Sequence, residues 1–272
     1  MKEKKILFLT DIHQNIRNIK KINFSGFDYI FCGGDLLDPS NPDFDIARKI
    51  IDILPKNTYI VPGNCDKSEK LVKAITDNLI NIHKQKVTFT DFDLVGIGFS
   101  RSLKDDFKVY REYFRADKSR IFKFLKESKL KFLLDFCGIK LKSDTDIEFL
   151  DENIALNANR DFINKFVSFY ENEIDDFFNR IDYLKNGIII THSPPFGMLD
   201  KLPGLPNIGS ISIRNFIEKT KPKLVLCGHF HELGGRLDID GTVIFNPGAV
   251  KDGKYGIINI NEQNIKTDII DI

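Results

Sequence analysis

Apolar residues along this chain follow two rhythms. One is the short, unbroken run: Ile6-Leu7-Phe8-Leu9-Thr10, Tyr29-Ile30-Phe31, Thr58-Tyr59-Ile60-Val61, Ile188-Ile189-Ile190-Thr191 and Leu224-Val225-Leu226-Cys227. Runs of this length without a charge predict central strands covered on both faces. The other rhythm is helical. Ile16, Ile19 and Ile22 share a face within 14–26. Ile46, Ile50, Ile53 and Leu54 do the same ahead of Pro55, and a further helix is predicted over about 67–80. Ile213, Phe216 and Ile217 mark another, with Ser210 or Ser212 as its N-cap. Residues 87–89 and 94–99 predict a hairpin, 194–209 a long Gly/Pro loop, and 243–246, 256–260 and 265–270 a set of short edge strands.

Between 103 and 186 the rhythm is helical almost throughout. Phe107, Tyr110 and Phe114 share one face, Phe162, Phe166 and Phe169 a second, and Ile174, Phe177 and Ile181 a third. Twelve of the 24 Phe lie in this stretch, enough aromatic area for a small core of its own. Its charge is segregated: residues 104–142 carry twelve Lys/Arg against six Asp/Glu, and 143–186 carry four against eleven. The chain therefore divides into an α/β core, 1–102 and 187–272, and a helical insert, 103–186. The two halves of the insert are expected to attract one another. The alternative is a basic face that gathers a polyanion.

Composition narrows the class. At 272 residues the chain can hold one large core plus an insert. With 40 Lys/Arg against 39 Asp/Glu, it carries no global field that would attract nucleic acid or a membrane surface, although a local patch stays admissible. No apolar run reaches the roughly 20 residues of a membrane span. Residues 1–5 lead straight into a strand without a leader pattern. Four scattered cysteines with no Cys-x-x-Cys pair fit a reduced, cytoplasmic protein without disulfides. A second copy of the chain stays among the admissible partners.

The chemistry gathers at strand ends, where open α/β sheets place their ligands. The first run ends in Asp11-Ile12-His13, whose alternation points a carboxylate and an imidazole the same way. The second ends in Cys32-Gly33-Gly34-Asp35, and the third in Pro62-Gly63-Asn64-Cys65-Asp66. His192 follows the fourth, and Gly228-His229-Phe230-His231 the fifth. Four of the five His sit at these ends. The other, His83, lies in a polar stretch and is expected at the surface. Mixed nitrogen and oxygen ligands without thiolate suit Mn, Fe, Zn, Co or Ni, with Mn the first expectation.

The ordered string Asp-x-His, Gly-Gly-Asp, Gly-Asn-x-Asp, Thr-His, Gly-His-x-His resembles the calcineurin-like metallophosphoesterases. The resemblance spans 11–231 outside the insert. It implies a four-layer α/β/β/α sandwich with an inserted helical subdomain, and two divalent metal ions at the strand ends. It assigns Asp11, His13, Asp35 and His231 to one metal, and Asp35, Asn64, His192 and His229 to the other. The implied chemistry is attack of a metal-bridging hydroxide on a phosphoester. Asp35, Asn64, His192 and Asp66 would serve that catalysis, and Asn64 would bind the substrate phosphate; Arg101, which follows the strand end at Gly98, is placed to pair bidentately with the same phosphate. Arg101 could equally be an ordinary surface ion pair.

Most members of the family carry Gly-Asn-His where this chain has Gly-Asn-Cys65. That His protonates the leaving alkoxide, and a thiol is a weak donor. The chain resembles the Gly-Asn-Cys-Asp branch of smaller members, associated with phosphodiester hydrolysis. The expectation is a dinuclear phosphodiesterase acting on a small phosphoester. The alternatives are a phosphomonoesterase or nuclease of the same fold, and a non-catalytic binding scaffold. Retention of all seven metal-ligand positions argues against the scaffold. Cys65, Cys32 and Cys227 are read as packing residues.

Overall fold

The computed structural model describes residues 1–101, 103–127, 132–143, 146–149 and 169–272. Two six-stranded mixed sheets face one another. The first contains β1 (Lys4–Leu9), β2 (Tyr29–Cys32), β3 (Thr58–Ile60) and β4 (Ile80–Asn81), all parallel. The second contains β5 (Gln85–Thr88), β6 (Asp93–Ile97), β9 (Ile188–Thr191), β10 (Leu224–Leu226), β11 (Gly235–Ile239) and β12 (Thr242–Asn246). Its order is β11-β12-β10-β9-β6-β5, with β6, β9, β10 and β12 parallel and the two edge strands antiparallel. The last two strands, β13 (Lys254–Ile260) and β14 (Ile265–Asp271), return to the first sheet, whose order is β14-β13-β1-β2-β3-β4.

The tail therefore differs from the expected set of edge strands. β12 and β13 are interior, and only β14 lies at an edge. β13 alternates half-buried with buried positions from Tyr255 to Ile260, a pattern that resembles an edge. Its buried face, Ile258 and Ile260, meets the other sheet.

Alternation along each strand fills three layers of core. Ile6, Phe8, Phe31 and Val61 of the first sheet meet Leu94, Ile190, Leu226 and Phe245 of the second. On the outer face of the first sheet, Leu7, Leu9, Ile30 and Ile60 pack on α2 (Phe44–Ile53) and α3 (Glu69–Asn78) through Ile50, Ile51, Leu71 and Ile75. On the outer face of the second, Val95, Ile97, Ile189 and Val225 pack on α7 (Phe169–Phe178) and α8 (Ile211–Thr220). The result is the expected four-layer α/β/β/α sandwich. Of the two proposed caps for α8, Ser210 is the one used, accepting from the Ile213 N–H at 3.1 Å. The helix expected over 14–26 shrinks to α1 (Ile16–Ile19).

The segment 103–186 is divided by its packing. Helices α4 (Leu103–Ala116), α5 (Ser119–Glu127) and α6 (Phe132–Phe136) form a cap with a short hairpin, β7 (Ile139–Leu141) and β8 (Ile147–Phe149). Their core, Val109, Phe114, Ile121 and Phe124 among others, is completed by Leu202, Leu205, Ile208 and Ile211 from the stretch after β9. The last helix, α7, instead covers the second sheet: Phe178 stacks on Phe216 of α8, with ring centroids 3.9 Å apart and planes 6° from parallel. Phe162 and Phe166 lie outside the described residues. The hairpin was not anticipated, because its strands are three residues long.

Among the described residues, charge pairs of this segment run in three directions. Within the first half, Arg115 pairs with Glu112, Arg120 with Asp117 and Lys123 with Glu127. Acids of the second half reach the α/β core, Glu173 to Lys84 and Asp182 to Lys219. Lys142 with Glu148 joins the halves. Among the described residues, no helix is long and apolar enough to cross a membrane.

Phe178→Ala should remove the stack that seats α7 on the second sheet. A loss of about 3–5 kcal/mol of stability is expected for emptying such a position. Urea denaturation checks it, and an unchanged midpoint would contradict this packing role.

Candidate metal centre

Five strand ends converge. The loops after β1 and β2 continue to bond one another beyond the strands: Asp11 N–H to Gly34 O at 2.9 Å, and His13 N–H to Asp35 O at 2.9 Å. These bonds require unusual backbone. Asp11, His13, Asp35 and His229 all sit at positive φ, 54°, 41°, 55° and 70°. Non-glycine residues in this region are strained and cluster where a site is pre-organised. Glycine allows the closest approaches. A Cβ on Gly63 would lie 2.0 Å from Asp35 Oδ1, and one on Gly228 would lie 2.4 Å from Asp11 Oδ2. At both positions any side chain would collide with a carboxylate.

The side chains then meet in two adjoining groups. Asp11, His13 and His231 form the first: His231 Nε2 stands 3.3 Å from Asp11 Oδ1 and 3.1 Å from His13 Nε2. Asp35, Asn64 and His192 form the second: His192 Nε2 is 2.8 Å from Asn64 Oδ1 and 3.5 Å from Asp35 Oδ2. Asp35 Oδ2 also lies 3.7 Å from His13 Nε2, so it stands between the groups. His229 takes a different place. Its backbone N–H donates to Asp11 Oδ2 at 3.0 Å, and its ring packs edge-on to His192, with centroids 5.2 Å apart. Among the described residues, its ring nitrogens are not part of any group of three His, Cys, Asp or Glu ligand atoms lying within 4.8 Å of one another.

The donor chemistry fits a bound cation. His13 and His192 each spend Nδ1–H on a backbone carbonyl, Leu37 O and Gly33 O, both at 2.8 Å. That fixes the tautomer and aims Nε2 at the carboxylates. Asp11 and Asp35 are 0% and 2% exposed, and Asp11 Oδ1 is enclosed without a hydrogen-bond partner. An orphaned carboxylate oxygen facing imidazole nitrogens asks for positive charge. The titration behaviour states the same demand. Burial opposes ionisation of Asp11 and Asp35, yet the surrounding histidines hold both carboxyls below their ordinary value. Burial likewise opposes charge on His192, and Asp35 beside it lifts that imidazole to about 9. A divalent cation would replace that proton.

Three expected residues have places that change their reading. Asp66 is fully buried, and its carboxylate accepts from the backbone N–H groups of Leu36, Leu37 and Gly63 at 2.9, 3.2 and 2.8 Å. It ties the Asn64–Asp66 turn to the Asp35 loop. Arg101 is 4% exposed; its Nη2 donates to Ile208 O and pairs with Asp106 of α4 at 3.1 Å. The expected phosphate ligand thus joins the core to the cap. Cys65 is turned toward the site: its N–H donates to Asp35 Oδ1 at 2.8 Å, and Sγ lies 3.2 Å from Asp35 Oδ2. Burial and the Asp35 charge push its thiol well above its ordinary pKa, so it stays protonated.

The sequence pattern missed one contributor. His83 is half-buried rather than on the surface, with Nδ1 accepting the Gly98 N–H at 2.9 Å and its ring edge-on to Phe99. It holds the turn that presents Ser100, whose hydroxyl reaches Asn64 Oδ1 at 3.3 Å. A lone His among polar neighbours carries no periodicity that would reveal this bond.

Residues 156–270 match the family model described as metallophosphoesterase, calcineurin superfamily. Over 74 residues the chain is 34% identical to metallophosphoesterase domain-containing protein 1 of Homo sapiens, and equally to that of Mus musculus. The match covers 26% of this chain and 22% of the relative, so the chain spans about a fifth of the length of the curated relatives it matches. Two solved structures align over nearly the whole chain. TT1561 of Thermus thermophilus has a TM-score of 0.53 at 14% identity, covering 97% of this chain and 98% of that one. A dimetal phosphatase from Danio rerio has a TM-score of 0.53 at 10% identity, covering 98% and 95%. The fold is that of the metallophosphoesterases. Within that fold, His192, His229 and His231 fall in the segment that the family model matches.

His83 yields a pH test. Burial lowers its pKa to about 4, below the ordinary 6.5. The folded state refuses a proton that the unfolded chain accepts, so the contribution is complete above 6.5 and is lost as pH falls toward 4. Stability of the wild type should fall over that window, and His83→Gln should flatten the fall. Denaturation midpoints taken above, within and at the foot of that window measure it. Parallel profiles for the two proteins would contradict the assignment.

Proposed function

We propose that the chain is a metal-dependent phosphoesterase that hydrolyses phosphodiesters. The observation that carries the reading is Asp11 Oδ1, buried without a hydrogen-bond partner and facing His231 Nε2 at 3.3 Å and His13 Nε2 at 3.9 Å, with the His13 Nδ1–H already spent on Leu37 O. Two divalent ions are proposed: Asp11, His13, Asp35 and His231 would hold one, and Asp35, Asn64, His192 and His229 would hold the other. Such ions supply Lewis acidity toward a phosphoryl group and an ionised water at neutral pH. Mn is the first candidate, and the same N/O set suits Fe, Ni, Co or Zn.

The chain's own residues set the rest. Asn64 aims Oδ1 into the second group, 2.8 Å from His192 Nε2, and the Ser100 hydroxyl donates to that oxygen at 3.3 Å. Asp66 keeps that turn against Asp35. The diester preference rests on Cys65. A thiol is a weak hydrogen-bond donor, and this one lies 3.2 Å from Asp35 Oδ2 where an imidazole would protonate a leaving alkoxide. Esters whose alcohol departs as a stable anion need no such proton, whereas alkyl monoesters do. The cap gives size selection: Phe230, packed on the His229 ring, also touches the cap core. Residues 103–149 are therefore proposed to tune which ester enters.

The purified protein, tested with Mn, Ni, Co, Zn and Mg on aryl mono- and diesters, should cleave a diester best. No cleavage with any metal would overturn the reading in favour of a binding scaffold. Asp35→Asn should reduce activity to background and lower metal content, since one carboxylate serves both groups. Full activity with both ions retained would remove the shared role.

Cys65 gives a sharper comparison. Cys65→Ala should leave aryl diester hydrolysis within a few-fold of wild type. Cys65→His should raise kcat/KM on alkyl monoesters by about 10²-fold or more, the usual worth of general acid catalysis, and change aryl diesters little. A collapse of diester activity in Cys65→Ala would mean that the thiol acts chemically.

A further inference from the structure

The sandwich has four sheet edges, and they are unequal. β4 is two residues long, β5 four and β11 five, whereas β14 runs for seven, Ile265–Asp271. Long edges present a row of unpaired N–H and C=O groups and invite another strand. Natural edges are blunted by shortness, proline, bulges or charged side chains. β14 is long, has no proline and keeps an unbroken register with β13 from Lys254↔Asp271 to Ile260↔Ile265, so its charges, Lys266, Asp268 and Asp271, are what select a partner.

Which groups face outward follows from the turn. Asn261 N–H bonds Asn264 O, and Ile272 N–H bonds Gly253 O. Bonded and non-bonded pairs alternate along an antiparallel ladder. Asn264, Lys266, Asp268, Ile270 and Ile272 therefore turn their backbone groups toward β13. Ile265, Thr267, Ile269 and Asp271 turn theirs outward. Arg236 of β11 donates to Ile265 O at 2.6 Å, which leaves that oxygen one lone pair. Among the described residues nothing bonds the outward groups of Thr267 or Ile269. Ile269 is also among the few exposed large apolar side chains, at 38%.

We propose that β14 pairs antiparallel with β14 of a second copy, on a two-fold axis through Thr267. The side chains select both partner and register. Centred on Thr267, each outward residue meets an outward residue: Thr267 its own copy, and Ile265 the other copy's Ile269. These pairs exchange two backbone hydrogen bonds each. The residues between them place Lys266 against Asp268 of the other copy, twice by symmetry. Shifting the axis by one residue, to Asp268, puts two carboxylates face to face and sets Lys266 against Ile270. Opposite charges across strands stabilise, and like charges directly opposite destabilise. The sequence Ile-Lys-Thr-Asp-Ile is thus complementary to itself in one register. A single edge buries little area, so the dimer is a weak, concentration-dependent one.

The test is sedimentation velocity across a concentration series up to the solubility limit. Wild type should pass reversibly from monomer to dimer. Lys266→Asp and Asp268→Lys each place two like-charged pairs in the interface, and each should weaken association about tenfold or more. Both positions are exposed, and circular dichroism verifies that the variants fold. Mixing the two variants is decisive. One chain then carries carboxylates at both positions and the other carries amines at both, so each cross-strand pair again joins opposite charges. A heterodimer should form from two chains that do not self-associate. A wild type that stays monomeric throughout would overturn the proposal. So would a dimer indifferent to both reversals, or a mixture that fails to associate.

Discussion

Everything at the strand ends follows from placing two carboxylates side by side out of water. Asp11 and Asp35 are almost wholly buried, and each raises the other's cost of ionisation. Protein interiors do not tolerate such a pair without compensating positive charge. The chain answers with imidazoles whose outer nitrogens are anchored on carbonyls, so that their inner nitrogens converge on the carboxylates. The positive-φ residues, the glycines without room for a Cβ, and the buried Asp66 all serve to hold that arrangement. The sandwich supplies the frame, because parallel strands from both sheets deliver their C-terminal ends to one place.

Much of this was legible in the sequence because ligand chemistry and strand chemistry leave different marks. An apolar run that stops at Asp, Asn or His is visible without coordinates, and the sheet registers bring those stops together. What could not be read lies in bonds between distant backbone and side chain. His83 accepts from Gly98, Asp66 accepts from Leu36 and Leu37, and Arg101 reaches Ile208. Each is a contact of one polar residue with a backbone group, and no periodicity reports it. The backbone partners of Asp66 and Arg101 were hidden for the same reason: a charged residue near a strand end looks alike whether it faces a ligand or a loop.

The segment 103–186 illustrates a different limit. Helical period marked its elements, but period does not tell which surface a helical face covers. α7 shares the amphipathic look of α4 and α5, yet Ile174 and Phe178 belong to the outer layer of the second sheet, whereas Phe114 and Phe124 belong to the cap. The cap core in turn borrows Leu202, Leu205 and Ile208 from beyond β9, which binds the cap to the loop beside His192. Cap and site are thus mechanically joined through one loop, and through Arg101 and Asp106.

The proposed function stands on divalent cations held by this buried carboxylate–imidazole cluster on either side of Asp35. Anomalous diffraction from crystals grown with Mn, measured at the metal edge, tests it without reference to any substrate. Two peaks are expected, one among Asp11, His13 and His231, the other beside Asn64 and His192, with Asp35 touching both. A folded protein with no peak at the strand ends, or with metal bound only elsewhere, would contradict it.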